Sequence, residues 1–229
     1  MELASLVTHF APDRTVRLVS SARLRDPVLL KLVGEEDLSD LAEIEGATSE
    51  RLRAQTNGTE HLDHRELAYG FPHAAFINAA FSYWLPRSLN RFNGPGRGAW
   101  YAAYELNTCL AEVTFHMERE LANVGDYTAT VEYAEMFAGF NGDFADVRGL
   151  SPAPEYLHPD PAIAYPAGNL FAQEVRAAGH YGIVYPSVRH PGGTCIVALM
   201  PHAVQAVAQG RVLRLQWQGK PGPALQFVG

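Results

Sequence analysis

Basic residues are scarce in this sequence. Its 229 residues include 18 Lys and Arg against 25 Asp and Glu, which gives a net charge of −7. A general nucleic-acid binder needs a broad basic surface to neutralise phosphates, so this composition argues against direct nucleic-acid contact. A bound anion would therefore need a local group of arginines.

Cysteine is also scarce, and metal-ligand spacings are missing. Each of the two cysteines, Cys109 and Cys195, stands among apolar residues, which favours buried free thiols over a disulfide or a reactive nucleophile. The sequence contains no CxxC pair, and its nine histidines are dispersed without ligand geometry. We therefore expect no metal.

Long hydrophobic runs are lacking as well. No uncharged apolar stretch approaches the roughly 18 residues that a membrane helix needs, and the first residues do not resemble a secretory signal. We expect a cytoplasmic protein that makes no membrane contact. The length predicts one domain over residues 1–229.

The pattern of apolar residues predicts an α+β fold whose second half is mostly β. Helices are predicted in a region over 27–56, then over 107–122 and 169–179. The predicted strands are 15–20, 99–104, 128–133, 144–147, 182–187 and 194–200. A polar loop is predicted over 56–66, a second loop over the proline-rich 151–166, and a last hairpin over 204–217.

One segment, RFNGPGRGAWYAAYELNTCLAE, combines a cation, a phenol and a carboxylate. Arg91 opens it, Tyr101 lies in its predicted strand, and Glu112 lies on the following helix. Arginine binds phosphate through a planar fork, tyrosine offers a stacking face and a hydroxyl, and a carboxylate stabilises positive charge at an anomeric carbon. The set suits a ligand that contains both phosphate and sugar.

The helix over 107–122 presents two different faces. At about 100° per residue, one apolar stripe faces the core, and it consists of Leu110, Val113, Met117 and Leu121. Glu112 lies about 200° from Leu110 and shares its side with Thr108, Phe115 and His116. A carboxylate opposite a core stripe is ordinarily solvated, but this half-apolar second face favours a cleft.

Two further motifs have both ordinary and functional interpretations. The GPGRG loop could bind an anion through its backbone N–H groups, or it could be a simple turn, since it matches neither nucleotide fingerprint. In YPSVRHPGG, Ser187 could hydrogen-bond a ligand and Arg189 could add charge, or the two could be a turn cap and a surface cation. A nucleophilic serine is disfavoured because GxSxG and an orienting acid are missing.

These residues resemble the RES domain family, the toxins of bacterial RES–Xre toxin–antitoxin modules. The family pattern has an RF or RW pair, a Gly/Pro loop, a YYAA-like strand, a helix reading ETAxAE and a DGIVYPSVRxPGG segment. The matching segments here are RFNGPGRGAWYAAY, NTCLAE and YGIVYPSVRHPGG, with Tyr101 ten and Glu112 twenty-one residues after Arg91. The sequence departs from the pattern at Trp100 and Asn107.

The resemblance implies an ADP-ribosyltransferase-like fold, in which two β-sheets form a cleft that holds NAD+ as a substrate. It implies cleavage of the bond between nicotinamide and ribose. The positions carried over are Arg91, Tyr101, Glu112 and Ser187, with Arg17 as a further candidate for phosphate or ribose contact.

The resemblance leaves the acceptor of ADP-ribose open, whether water, phosphate or a target protein. It also implies an Xre-type antitoxin as partner, and this antitoxin rather than the acidic chain would contact DNA. A non-catalytic binding module that uses the same cleft is an alternative of another class.

Overall fold

The computed structural model describes residues 3–12, 14–21, 58–59, 62–70, 72–83 and 89–228. The helices are α1 Ala74–Ser82, α2 Leu106–Val124 and α3 Pro161–Ala177, with short 3₁₀ turns at Leu3–Leu6, His64–Glu66, Glu155–Leu157 and Pro201–Ala203. The strands are β1 Val7–Phe10, β2 Thr15–Ser20, β3 Gly58–Thr59, β4 Leu62–Asp63, β5 Trp100–Ala103, β6 Thr128–Phe140, β7 Gly142–Asp146, β8 Gly182–Pro186, β9 Thr194–Ala198, β10 Val204–Gln218 and β11 Ala224–Val228. The predicted helices over 27–56 lie outside the described residues.

The fold is α+β, as predicted, but it corrects the expectation of two separate β-sheets. Nine of the described strands form one sheet in the order β1-β7-β8-β9-β5-β2-β6-β10-β11, and β3 pairs only with β4. The β7–β8 pair is parallel, and the other pairs are antiparallel. The sheet is continuous because β2 pairs with both of its neighbours.

Strands β2 and β5 pair over fewer positions than their neighbours in the sheet do. Val16 and Ala103 form the one register pair between these two strands, whereas β2 and β6 pair over six positions and β5 and β9 over four. Beyond that pair, the Arg17 guanidinium donates a hydrogen bond to the Tyr101 carbonyl at 3.2 Å. A side-chain hydrogen bond thus supplements the short backbone pairing at this position, which we call the seam of the sheet.

Helix α2 packs on the sheet through the predicted apolar stripe. The stripe consists of Leu110, Val113, Met117 and Leu121. It contacts a buried cluster formed by Tyr133, Leu213, Leu215 and Trp217. Burying such a stripe stabilises the docked helix by about 25 cal/mol per Å² of apolar surface. The opposite face of α2, which carries Glu112, is directed to the seam.

Helix α3 begins earlier than predicted, because part of the proline-rich segment 151–166 is helical. Pro161 occupies the first helical position, where its fixed φ angle favours a helix and its missing N–H costs nothing. Asp160 caps this end by accepting a hydrogen bond from the Ala162 N–H at 2.9 Å. Pro166 lies inside the helix, and α3 ends just before Gly179, the predicted stop.

The prediction of a hairpin over 204–217 is wrong. These residues form a single strand, β10, which pairs with β6 across two register shifts and makes its hairpin with β11. Gly210, at the middle of the strand, is not a turn residue. A Cβ there would lie 2.5 Å from the Phe137 ring, so the glycine allows close packing within the sheet.

Most of the other predicted elements are confirmed within a few residues of their ends. The strand over 128–133 extends to residue 140, and the loop over 56–66 contains the β3–β4 pair and a 3₁₀ turn. Among the described residues, no helix combines the length and the apolar character that crossing a membrane requires.

Candidate active site

A cavity of about 410 Å³ opens at the seam between β2 and β5. One wall is apolar and comes largely from α1, through Phe76, Ala79, Ala80 and Tyr83. Five of the six predicted site residues line the cavity: Arg17, Arg91, Tyr101, Glu112 and Arg189. The structure therefore brings together residues that lie up to 172 positions apart in the sequence.

Arg91 is buried at the cavity wall and has no carboxylate partner among the described residues. Its Nη1 donates to the carbonyls of Tyr156 at 2.6 Å and His158 at 3.3 Å. These bonds fix the guanidinium plane and use one of its three nitrogens. No described residue accepts a hydrogen bond from Nε or Nη2, so these N–H groups could bind a ligand, and burial without a counter-ion among the described residues favours an anionic one.

Tyr101 anchors the loop that carries Arg91. Its hydroxyl accepts a hydrogen bond from the Phe92 N–H and donates one to Asn93 Oδ1, both at 2.9 Å. Burial raises the pKa of the Tyr101 phenol, which therefore stays protonated at neutral pH. The residue is well placed to order the arginine loop and to offer its ring to the cavity.

Ser187 lies behind Glu112 and is not among the described residues that line the cavity. Its hydroxyl donates to Glu112 Oε1 at 2.8 Å and accepts from the backbone N–H groups of Arg189 at 3.2 Å and His190 at 3.0 Å. One donor and two acceptor sites exhaust what a hydroxyl offers. In this structure Ser187 therefore holds the carboxylate in place, and direct contact of Ser187 with a ligand stays a prediction.

Arg189 is held over the cavity by two contacts. Its guanidinium carbon lies 3.4 Å from the centroid of the Phe115 ring, a cation–π geometry, and its Nη2 donates to the Pro159 carbonyl at 2.5 Å. Arg17, at the opposite strand, lies over the Trp100 ring at 4.9 Å. Arg17 and Arg189 thus both bring positive charge to the cavity that Glu112 lines.

Arg97, the arginine of the GPGRG loop, is not among the described residues that line the cavity. It is buried and forms a two-pronged ion pair with Glu66, with Nη1–Oε1 and Nη2–Oε2 distances of 3.0 and 2.5 Å. Burial raises the pKa of the Glu66 carboxyl, but the hydrogen bonds and charge of Arg97 outweigh that effect and lower it. Arg97 therefore joins the loop to the rest of the fold.

Two glycines of the GPGRG loop, Gly94 and Gly98, allow close packing in this structure. A Cβ at Gly98 would lie 2.1 Å from the Ala80 carbonyl, and its own N–H bonds the Phe81 carbonyl at 2.7 Å. Gly94 approaches the side chains of Leu89 and Asn169. The loop sits tightly between α1 and α3, and the interpretation as an anion cradle is not supported at Gly98.

Replacing Glu66 by Ala should lower the free energy of unfolding by about 2 to 3 kcal/mol, because it removes the carboxylate that neutralises a buried guanidinium. The expected loss lies below that of a fully buried pair, since 31% of the Glu66 side chain is exposed. Urea unfolding measures the change, with the exposed Glu120→Ala as the control. A loss no larger than the control's would contradict this role of the ion pair.

Sequence reasoning missed several cavity residues. Asn93, Tyr165 and the α1 wall line the cavity, yet nothing in their spacing distinguishes them from core residues. His116 also lines it, one turn after Glu112, on the helix face whose residue pattern favours a cleft. Desolvation by the surrounding protein, and then the charges of the nearby arginines, lower the pKa of His116, although the residue is partly open to solvent.

The cysteines conform to the sequence prediction. Cys109 and Cys195 are free and buried. Burial raises the pKa of the Cys109 thiol to about 12 and that of the Cys195 thiol further, so neither is a thiolate nucleophile at neutral pH. No group of His, Cys, Asp and Glu suited to a metal ion occurs in the part of the chain that the structure describes.

Comparison with known proteins identifies a family. The RES domain family model matches residues 65–218, which includes every predicted site residue except Arg17. Among solved structures, the M. tuberculosis MbcT–MbcA toxin–antitoxin complex has a similar chain at 13% sequence identity and a TM-score of 0.43, covering 91% of this chain and 89% of that chain. No curated protein matches. Because the family model spans more than half of its residues, the chain belongs to the RES domain family.

Proposed function

We propose that this protein is a toxin that cleaves the bond between nicotinamide and ribose in NAD+. The observation that carries the proposal is the convergence of Arg91, Tyr101, Glu112 and Arg189 on one cavity. A carboxylate among arginines, beside an apolar wall, matches a substrate that combines a diphosphate, two riboses and flat rings. Membership in the RES family, which the sequence already resembles, supports the same chemistry.

The cavity offers complementary groups for each part of NAD+. The free N–H groups of Arg91 suit a diphosphate, which a guanidinium binds through two parallel hydrogen bonds. Arg189 and Arg17 add positive charge at the same site. The α1 side chains and the Tyr101 ring provide the apolar surface on which a pyridinium or an adenine packs.

In the proposed reaction the C1′–N1 bond breaks and its electron pair stays on the nicotinamide nitrogen. Nicotinamide leaves as a neutral molecule, so no acid is needed, and the positive charge passes to the ribose as an oxocarbenium ion. The Glu112 carboxylate, aligned by the Ser187 hydroxyl at 2.8 Å, stabilises that charge. Tyr101 and Arg91 hold the substrate so that C1′ faces the carboxylate.

The acceptor of the ADP-ribosyl group is water, phosphate or a side chain of a target protein. Incubation with labelled NAD+ and a cell lysate distinguishes these routes. A discrete labelled protein band indicates transfer to a protein, free ADP-ribose indicates hydrolysis, and ADP-ribose 1″-phosphate indicates phosphorolysis.

The proposal includes a partner, a cognate Xre-type antitoxin that acts with the chain in the cytoplasm. Arg91 and Arg189 lie at the cavity without carboxylate partners among the described residues. An acidic segment or a C-terminal carboxylate of the antitoxin would complement that charge and block the entry of NAD+.

The test is release of nicotinamide from NAD+ by the purified protein, followed by liquid chromatography. We expect release by the wild-type chain and its inhibition by added ADP-ribose, which retains the diphosphate. A chain that binds NAD+ in calorimetry and releases no nicotinamide even when phosphate and a cell lysate are added as acceptors would instead be a binding module. A chain that neither binds nor cleaves NAD+ would overturn the proposal.

A further inference from the structure

Two rungs of hydrogen bonds join helix α2 to the turn that follows β8. One rung is the Ser187–Glu112 bond at 2.8 Å. The other joins Thr108 Oγ1 to His190 Nδ1 at 2.9 Å. Thr108 and Glu112 are four residues apart on one helix face, and Ser187 and His190 are three residues apart on one turn, so the rungs lie side by side.

The donor and the acceptor of the Thr108–His190 hydrogen bond can be assigned. Thr108 Oγ1 also bonds Glu105 Oε2 at 3.0 Å, and an ionised carboxylate only accepts hydrogen bonds. Thr108 therefore donates its single hydroxyl proton to Glu105, and His190 donates its Nδ1–H to Thr108. This arrangement selects the Nδ1–H tautomer of His190 and satisfies a threonine that is fully buried.

The turn is packed so closely against α2 that position 193 leaves no room for a side chain. A Cβ at Gly193 would lie 2.4 Å from Thr108 Oγ1 and 2.8 Å from His190 Nδ1. The turn also closes on itself, with Ser187 N–H bonded to the Gly193 carbonyl at 2.8 Å and Gly193 N–H bonded to the His190 carbonyl at 2.9 Å. Backbone hydrogen bonds thus connect His190 to Ser187 through Gly193.

We propose that Thr108 and His190 are positioning residues, which hold the Ser187–His190 turn where the Ser187 hydroxyl aligns Glu112. This role rests on the proposed function of Glu112. Neither Thr108 nor His190 is among the described residues that line the cavity, so both act through Ser187 and not on the substrate.

The kinetic test uses Thr108→Val, which keeps the shape of the side chain and removes its hydroxyl. We expect kcat for nicotinamide release to fall about tenfold with KM within about twofold, since alignment of Glu112 matters mostly in the transition state. Thr108→Ser should restore the rate. Thr114→Val, on the same helix and outside the cavity lining, is the matched control.

A double variant separates positioning from a general loss of stability. If Thr108 acts through Ser187, Thr108→Val combined with Ser187→Ala should be about as slow as Ser187→Ala alone. The proposal would be overturned if the rate losses of the two single variants multiplied in the double variant. A Thr108→Val rate equal to that of wild type would also overturn it.

An NMR measurement without substrate tests the positioning role independently of whether the chain cleaves NAD+. The amide signals of Arg189 and His190, whose N–H groups bond Ser187 Oγ, should shift in Thr108→Val and stay in place in Thr114→Val. The His190 ring should show the Nδ1–H tautomer in wild type. Unmoved amide signals would refute the positioning role even if the chain cleaves NAD+, and shifted signals would support the structural link from Thr108 to Ser187 even if the chain does not.

Discussion

Replacing Glu112 by Gln is expected to lower the rate of nicotinamide release at least roughly 100-fold, because a neutral amide cannot stabilise the oxocarbenium charge. The amide keeps the size of the carboxylate, and its carbonyl oxygen still accepts the hydrogen bond that Ser187 now gives to Oε1. The fold and the affinity for ADP-ribose should therefore stay near those of wild type. The loss should appear in kcat, measured under saturating NAD+.

Glu120→Gln provides the matched control for this variant. Glu120 lies on the same helix, is exposed, and does not line the cavity. Its replacement changes the net charge equally, so any effect of overall charge appears in both variants. Nicotinamide release by Glu112→Gln at the control rate would show that this carboxylate does not perform the proposed step.

Replacing Arg91 by Lys is expected to raise KM for NAD+ roughly 10- to 100-fold, with a smaller effect on kcat. Lysine keeps the positive charge but loses the planar fork. It cannot hold the Tyr156 and His158 carbonyls and still present two parallel N–H groups to a diphosphate. Calorimetry with ADP-ribose, which retains the diphosphate, should show a parallel loss of affinity.

The exposed Arg65→Lys variant is the control for the same change of side chain. A circular-dichroism melt of both variants shows whether Arg91→Lys also unfolds the segment that Arg91 holds. If a folded Arg91→Lys protein binds ADP-ribose as tightly as wild type, the diphosphate does not bind at Arg91.

The sequence predicted the elements in which local pattern dominates. The α2 stripe of Leu110, Val113, Met117 and Leu121 packs as its spacing indicates. The prolines led to the wrong prediction of a loop over all of 151–166. Pro161 stands at a helix N-terminus, where proline is favourable rather than disruptive. Composition alone does not distinguish a proline that begins a helix from a proline in a loop.

The sequence indicated which residues meet at the cavity better than it indicated the contacts that they make. The spacing of Arg91, Tyr101 and Glu112, read through the family resemblance, indicated one pocket, and the structure brings these side chains to one cavity. Ser187 bonds Glu112 across 75 positions of sequence, and Arg97 turns away from the cavity to meet Glu66. Such contacts depend on the packing of distant segments, for which a single sequence carries no local signal.

A crystal structure of the Glu112→Gln variant, grown with NAD+ at a concentration that saturates binding in calorimetry, tests the proposed site most directly. We expect NAD+ in the cavity between β2 and β5, with its diphosphate on Arg91 and its nicotinamide ribose C1′ within about 4 Å of the residue-112 side chain. NAD+ bound away from this cavity, or bound in it with C1′ remote from residue 112, would contradict the proposed catalysis by Glu112.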